Sequence, residues 1–332
     1  LDHGIVPAFD HLEVLMRVFV TGASGWIGSA VVAELIGAGH QVVGLARSDA
    51  AATALAAAGA EVRRGTTDDV EILRSAAGES DGVIHLAFDH RLAFSGGFQA
   101  AADADRRTVE IFADVLAGSD RPLVIASGLL GVTPGRVTTE LDGHVLDPAA
   151  AAFGAGPRTR HATAELVLSL ASTGVRSSIV RLAPTNHGDG DNGFMATIVG
   201  IARERGVSGY VDDGSNRWPA VRRLDSGHLF RLALEKAPAG STLHAVADEG
   251  VPIREVAEVI GRQLGIPVAS IAVENASPHF RWLGGFLAVD SPASSALTRE
   301  LLGWQPARPG LIKDLELGHY FRRGQSAVRD RD

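Results

Sequence analysis

The residues Thr21-Gly22-Ala23-Ser24-Gly25-Trp26-Ile27-Gly28 stand between a short apolar run, Val18-Phe19-Val20, and a periodic apolar stretch carrying Ile27, Val31, Val32, Leu35 and Ile36. That order reads as a strand turning directly into a helix. Such a corner aims free backbone N–H groups and the positive end of the helix dipole at one point, where a pyrophosphate fits. Gly22 permits the turn, Gly25 lets the backbone approach the phosphates, and Gly28 lets the helix lie close on the strand. The spacing alone is weak evidence. A second strand, Gln41 to Ala46, about twenty residues on supplies the context a dinucleotide fingerprint requires.

Short apolar runs recur at 18–20, 41–46, 60–63, 82–87, 123–126 and 177–182, implying six strands. Helical stretches are expected between them at 26–37, 49–58, 69–77, 100–117 and 158–172, several closed by Gly39, Gly59, Gly118 or Gly174. Alternation of this kind gives an α/β, Rossmann-type doubly wound parallel sheet, with strand order 3-2-1-4-5-6 and ligands at its carboxyl edge. After Pro184 the chain is richer in Gly, Asp and Pro, with helices expected at 194–205, 225–235, 253–264 and 310–322. The expected division is a dinucleotide-binding domain over 16–184, with 225–245 packing back on it. A smaller C-terminal α+β substrate lobe takes 185–224 and 246–332. Residues 1–15 precede Met16-Arg17, where a start would naturally fall, and are expected to be an extension outside the fold.

The formal charge of −8 argues against nucleic-acid or anionic-membrane partners, and the absence of cysteine excludes disulfides and thiolate metal sites. No apolar run approaches the roughly eighteen residues of a membrane span, and no signal-peptide order opens the chain, so a cytoplasmic location is expected. The twelve histidines show no close ligand spacing on one helix, so no metal is expected. Asp189-Gly190-Asp191-Asn192-Gly193 resembles the start of a calcium loop, but Gly200 stands where the bidentate Glu would be. It reads as a turn.

Taken together, the glycine-rich turn, Asp81-Gly82-Val83-Ile84-His85-Leu86-Ala87, Leu123-Val124-Ile125-Ala126-Ser127 and Val180-Arg181-Leu182-Ala183-Pro184 resemble the extended short-chain dehydrogenase/reductase superfamily. The segments Ser208–Asp212, Asn216–Val221 and Ser294–Thr298 resemble an atypical subgroup of NAD-dependent epimerase/dehydratase-like proteins. The resemblance implies a dinucleotide held by Gly22, Ser24, Gly25, Trp26, Ile27 and Gly28, with Leu86, Ala87, Phe88, Ser127, Pro184 and Thr185 around the nicotinamide. A homodimer is common among such proteins.

NAD-binding relatives carry an acid at the end of the second strand, for the adenosine ribose. Here Ala46 is followed by Arg47-Ser48, a guanidinium and a hydroxyl suited to a 2′-phosphate. NADP(H) is therefore expected over NAD(H), the alternative being a surface arginine. Asp69, in Thr66-Thr67-Asp68-Asp69, reads as a helix N-cap.

Relatives reduce carbonyls with a Ser or Thr and a Tyr-x-x-x-Lys pair on the helix after the fifth strand. That helix here reads Gly156-Pro157-Arg158-Thr159-Arg160-His161-Ala162-Thr163-Ala164-Glu165, with neither Tyr nor Lys. Registering on Glu165 puts His161 at the lysine position and Pro157 at the tyrosine position. Ser127 is placed by the resemblance to donate a hydrogen bond to substrate; otherwise it is a strand-end serine bonded to backbone. His187, in a loop that passes the nicotinamide in relatives, has a pKa suited to proton donation, or is a solvated loop histidine. Tyr210 offers a phenolic donor, or packs. Arg160 and His161 could hold the nicotinamide ribose, or lie on a solvated face. Arg222, where relatives carry His, either faces an anionic substrate or is exposed.

The leading expectation is an NADP(H)-dependent oxidoreductase moving hydride to or from C=O, C=N or C=C of a small molecule. The alternatives are a non-catalytic nicotinamide-dinucleotide sensor and, last, a nucleotide-sugar epimerase or dehydratase, which needs the missing tyrosine.

Overall fold

The computed structural model describes residues 15–143 and 155–322. The first lobe runs β1 (Arg17–Thr21), α1 (Trp26–Gly37), β2 (Gln41–Ala46), α2 (Asp49–Ala57), β3 (Glu61–Arg64), α3 (Val70–Gly78) and β4 (Gly82–His85). It continues with a single turn α4 (His90–Leu92), a kinked segment at Ala93–Gly97 with Gly96 in the left-handed region, α5 (Phe98–Leu116), β5 (Pro122–Gly128), α6 (Ala155–Ser169) and β6 (Arg176–Leu182). Beyond it come β7 (Thr185–His187), α7 (Phe194–Arg205), β8 (Ser208–Val211), β9 (Arg217–Arg222), α8 (Arg223–Lys236), β10 (Ser241–Ala245) and β11 (Asp248–Pro252). The chain closes with α9 (Ile253–Leu264), β12 (Val268–Ile271), α10 (Ala276–Phe280), α11 (Gly284–Leu287), α12 (Ala296–Leu302) and α13 (Leu311–Glu316).

The main sheet is parallel throughout, in the order β3-β2-β1-β4-β5-β6-β10. The expected order of six is present, and β10 adds a seventh strand beside β6. The buried strands β1, β4 and β5 are near-continuous apolar runs because helices cover both faces. Val31 and Leu35 of α1 pack with Leu229 and Phe230 of α8 on one face. Leu73 of α3, Phe112 and Leu116 of α5, and Val167 of α6 fill the other. The return of α8 to α1 depends on Gly227, where a Cβ would stand 3.0 Å from the Ala30 backbone.

The second lobe holds a three-stranded sheet, β11-β9-β7, and a pair, β12-β8, around Trp218, Ile260, Phe280 and Leu315. Two local expectations are corrected. The helix expected over 310–322 stops at Glu316 and resumes as a 3-10 turn at His319–Phe321, because Gly318 breaks it with a φ of +81°. Asp69 occupies the N-cap of α3, but its carboxylate folds back to accept from Thr66 N and Thr66 Oγ1 at 2.7 and 2.9 Å and does not cap the helix. Residues 1–14 of the expected extension and 323–332 lie outside the described residues.

Candidate active site at the carboxyl edge of the sheet

Three glycines shape the corner between β1 and α1. Gly22 has a φ of +65°, and a Cβ there would stand 2.7 Å from Ala87 N. At Gly28 a Cβ would come within 2.0 Å of Gly22 O, so only glycine lets α1 lie this close. The N–H of Gly25 donates to Gly22 O at 2.9 Å, and Gly25 itself is the N-cap of α1. No side chain caps that helix and no acid sits in its first turn. Its first N–H groups are thus left for an outside anion. Ser24 is exposed and Ile27 half-buried at this corner.

Trp26 does more than line the corner. Its indole Nε1 donates to Asn186 O at 2.8 Å, the Arg223 guanidinium lies 4.1 Å from its ring centroid, and Gly188 and Gly190 pass beneath. The loop after β7 is thereby fastened to the glycine corner. Tyr320 ties the same loop from outside, accepting from Gly188 N at 3.1 Å and donating to Asp191 at 2.8 Å. Asp191 also accepts from Gly193 N at 2.6 Å, so the calcium-like segment is a turn.

Leu86, Ala87 and Phe88 follow β4 directly beside the corner and are half-buried. Arg160 of α6 reaches over the Phe88 ring at 4.1 Å and donates to Ala126 O at 2.9 Å, joining α6, the end of β5 and this loop. It is not on a solvated face. Ser127, the next residue of β5, is nearly buried, and its hydroxyl has no hydrogen-bond partner among the described residues. Thr185, three residues beyond β6, is buried with an unpartnered hydroxyl, and Pro184 precedes it half-buried. Buried polar groups are normally paired, so an unpaired hydroxyl beside a cradle shaped for a dinucleotide fits a site that takes a ligand.

The other candidates lie elsewhere. His187 is fully buried, with Nδ1 2.8 Å from Asp314 and Nε2 unpartnered, so it is no solvated loop histidine. Arg222 also pairs with Asp314 and is largely covered, so it is neither free for an anionic substrate nor exposed. Burial acts to raise the Asp314 pKa, but the His187 bond and the charges of His187 and Arg222 hold it below the ordinary range. Tyr210 packs on the second-lobe core beside Gly214 and Arg254. His161 faces Glu165 one helical turn on, at 3.8 Å. No described hydrogen bond joins His187, Tyr210 or His161 to Ser127. The side chain of Pro157 lies outside the described residues.

Arg47 is exposed at the end of β2 and has no partner among the described residues. Ser48 Oγ caps α2 by accepting from Ala51 N at 3.2 Å, and Asp49 is held by Arg64 at 2.7 Å.

Sequence reasoning missed two groups. Thr21, His85 and Asp105 form a buried chain under the corner, at 2.6 and 3.2 Å. A set of rings including Phe94, Phe194 and Trp282 joins the lobes. A polar residue at the end of each of β1 and β4 was a readable signal for the first; nothing in the sequence announced the second.

The sequence profile of the NAD dependent epimerase/dehydratase family matches residues 18–115. The uncharacterized protein C2A9.02 of Schizosaccharomyces pombe is 45% identical over 92% of this chain and 100% of its own length. This chain belongs to the extended short-chain dehydrogenase/reductase superfamily. A Stigmatella aurantiaca ketoreductase, named for 4-hydroxy-2-methyl-3-oxo-4-farnesyl-3,4-dihydroquinoline-1-oxide, is 26% identical over 76% of this chain and 74% of its own. Among solved structures, MoeE5 in complex with UDP-glucose and NAD superposes with a TM-score of 0.70 at 21% identity, covering 93% of this chain and 100% of that one. The matched stretch includes the glycine corner described above.

Proposed function

We propose that this protein is an NADP(H)-dependent oxidoreductase that moves hydride to or from a small uncharged substrate at the ends of β4, β5 and β6. The observation that carries this reading is the buried, unpartnered hydroxyl of Thr185 just beyond β6, with Ser127 at the end of the neighbouring β5. When bound, the nicotinamide supplies or accepts the hydride. Ser127 donates a hydrogen bond to the substrate oxygen, countering the negative charge that grows there. Thr185 supplies a hydroxyl for the amide end of the cofactor, and Arg160 holds Phe88 and the end of β5 in place. The exposed, unpartnered Arg47 and the Ser48 hydroxyl favour a 2′-phosphate over a bare ribose. The likeness to a ketoreductase favours C=O among the possible acceptors.

A nucleotide-sugar epimerase is the second reading, favoured by the family profile and by the likeness to a protein that binds UDP-glucose. Such chemistry needs a base at the sugar hydroxyl. The chain has two tyrosines: Tyr210 packs in the second lobe, and Tyr320 is tied to Asp191 and Gly188, with burial and then the Asp191 charge pushing its pKa up.

Loss of reduced-nicotinamide absorbance with a panel of aldehydes, ketones and imines tests the proposal. Turnover with NADPH is the expected result. Conversion of UDP-glucose to its epimer without net NADPH consumption would overturn it in favour of the second reading. Tight binding of NADPH with no turnover of any acceptor would instead mark a sensor.

A further inference from the structure

Two arginines stand at the two ends of β5, and they are bonded differently. Arg121, just before the first residue of the strand, gives its guanidinium to the carbonyls of Ala77, Ser80 and Val115 at 3.0, 2.8 and 3.0 Å, while its Nε donates to Ser119 Oγ at 3.1 Å. That side chain is a brace with its donors spent. Arg160 reaches the opposite, carboxyl end. Its Nη2 donates to Ala126 O at 2.9 Å, and its guanidinium carbon lies 4.1 Å from the centroid of the Phe88 ring. A guanidinium carries five N–H donors in one plane. No other hydrogen bond and no ion pair of Arg160 is found among the described residues.

Phe88 covers one face of the cation, so the remaining donors lie around its rim, beside the strand end. The carbonyl that Arg160 grips belongs to the peptide bond that carries Ser127, which puts the cation and that hydroxyl one peptide unit apart at the same edge. The charge is as little used as the donors. Burial pushes the Arg160 pKa down, and the charge opposing that shift is Asp105, whose carboxylate is already engaged by His85 Nε2 at 3.2 Å. A covered cation without a carboxylate of its own is costly to hold, and it stabilises a negative charge placed beside it more than an exposed cation would. Reduction of a carbonyl creates such a charge on the substrate oxygen.

Resting on the oxidoreductase reading above, we infer that Arg160 is a catalytic residue that binds the substrate oxygen and holds it as an oxyanion, in place of the absent tyrosine. The carbonyl carbon takes hydride from the reduced nicotinamide, and the π pair of C=O moves onto oxygen. The alkoxide rests between the Arg160 guanidinium and the Ser127 hydroxyl until a water molecule protonates it, releasing hydroxide to solvent. Arg160 keeps its own protons throughout.

Calorimetric titration of the whole protein, saturated with NADP+, with benzoate and with benzamide tests this. Benzoate presents a stable anionic oxygen, and benzamide has the same shape without the charge. Benzoate is expected to bind about tenfold tighter, as a hydrogen bond to a charged group would give. R160M keeps the bulk of the stem and drops the charge, and it should cut that ratio at least about fivefold while NADP+ affinity stays within about twofold. The positive nicotinamide is common to native protein and variant, so the difference reports Arg160. R160Q keeps a donor for Ala126 O and carries the test should R160M fail to fold. With NADPH and benzaldehyde, R160M should lower kcat about a hundredfold with little change in KM, as loss of an oxyanion donor does.

Equal affinity for the two ligands, binding of neither, or a preference that survives the variant overturns the inference. So does a variant whose NADP+ affinity falls together with the preference, since Arg160 would then hold the cofactor. An anion preference that depends on Arg160, without turnover of benzaldehyde, refutes the oxidoreductase reading alone. Turnover that the variant leaves unchanged refutes the role of Arg160 alone.

Discussion

Thr21 Oγ1 lies 2.6 Å from His85 Nδ1, with both residues buried, and the same oxygen accepts from Leu86 N and Ala87 N at 3.3 Å each. A hydroxyl that already accepts twice has one proton to give, so Thr21 donates to Nδ1. His85 then carries its proton on Nε2, which donates to Asp105 at 3.2 Å. The chain of hydroxyl, imidazole and carboxylate pins β1, β4 and α5 together directly under the dinucleotide corner. Thr21→Val keeps the shape but strands Ala87 N and His85 Nδ1. The expected loss is about 1–3 kcal/mol of stability, seen as a lower Tm, with Thr21→Ser recovering most of it.

The two glycines of the corner make separable predictions. At Gly28 an added methyl meets the Gly22 carbonyl at 2.0 Å, backbone against backbone, so Gly28→Ala should cost about 2–3 kcal/mol and lower dinucleotide affinity as well. At Gly25 the nearest atom is 3.1 Å away, a contact the turn can absorb with a small shift. Gly25→Ala is expected to leave Tm nearly unchanged while weakening NADPH binding about tenfold, because its methyl projects where phosphate must approach. Parallel melts and NADPH titrations of the two variants check the split.

The glycine corner was legible because backbone geometry alone demands glycine there, and the six strands because apolar runs and glycine stops alternate along the chain. The seventh strand was not. Its sequence, Ser241-Thr242-Leu243-His244-Ala245, has no apolar run, and it is placed by α8 packing back on α1. The burial of His187 was equally hidden, since its partner Asp314 is 127 residues away. A histidine in a Gly- and Asp-rich loop looks solvated until the second lobe supplies a carboxylate. The rings joining the lobes drew on positions 94, 194 and 282, which share no period.

Tyr320 is linked to the glycine corner through the loop after β7. Its hydroxyl accepts from Gly188 N and donates to Asp191, holding the loop whose Asn186 carbonyl receives the Trp26 indole. Burial raises the Asp191 pKa, so that carboxyl depends on its remaining donors. Tyr320→Phe leaves Gly188 N and Asp191 short of a partner, at about 1–3 kcal/mol. A lower Tm together with a higher Kd for NADPH is expected, and a lower Tm at unchanged Kd would show that the loop does not reach the corner.

On the proposed NADP(H) reading, cofactor choice turns on Arg47. Arg47→Asp replaces an exposed, unpartnered guanidinium by an acid that repels a 2′-phosphate and suits a ribose diol. NADPH binding should fall by about tenfold or more, from loss of a charge-assisted contact, while NADH binding holds or improves. Fluorescence titration with both nucleotides checks this, and equal losses would remove Arg47 from the phosphate site.

His244, in β10, is fully buried between a carbonyl and a cation. Its Nδ1 donates to Ser294 O at 2.7 Å, and Arg181 Nη1 approaches Nε2 at 3.5 Å, so only the neutral ring suits both neighbours. Burial is the main cause that lowers its pKa from 6.5 to about 4, with Arg181 adding to it and Glu140 and Asp142 opposing. The unfolded chain therefore takes up a proton near pH 6.5 that the folded chain refuses until about pH 4. Stability from this site is constant above pH 6.5 and declines as pH falls through that window, by up to about 3 kcal/mol. His244→Asn keeps a donor toward Ser294 O and has no proton to take up. Thermal melts from pH 7.5 to pH 4.5 should slope less steeply for this variant than for the native chain, through about that interval. An identical slope would place the acid sensitivity of this interval in groups other than His244.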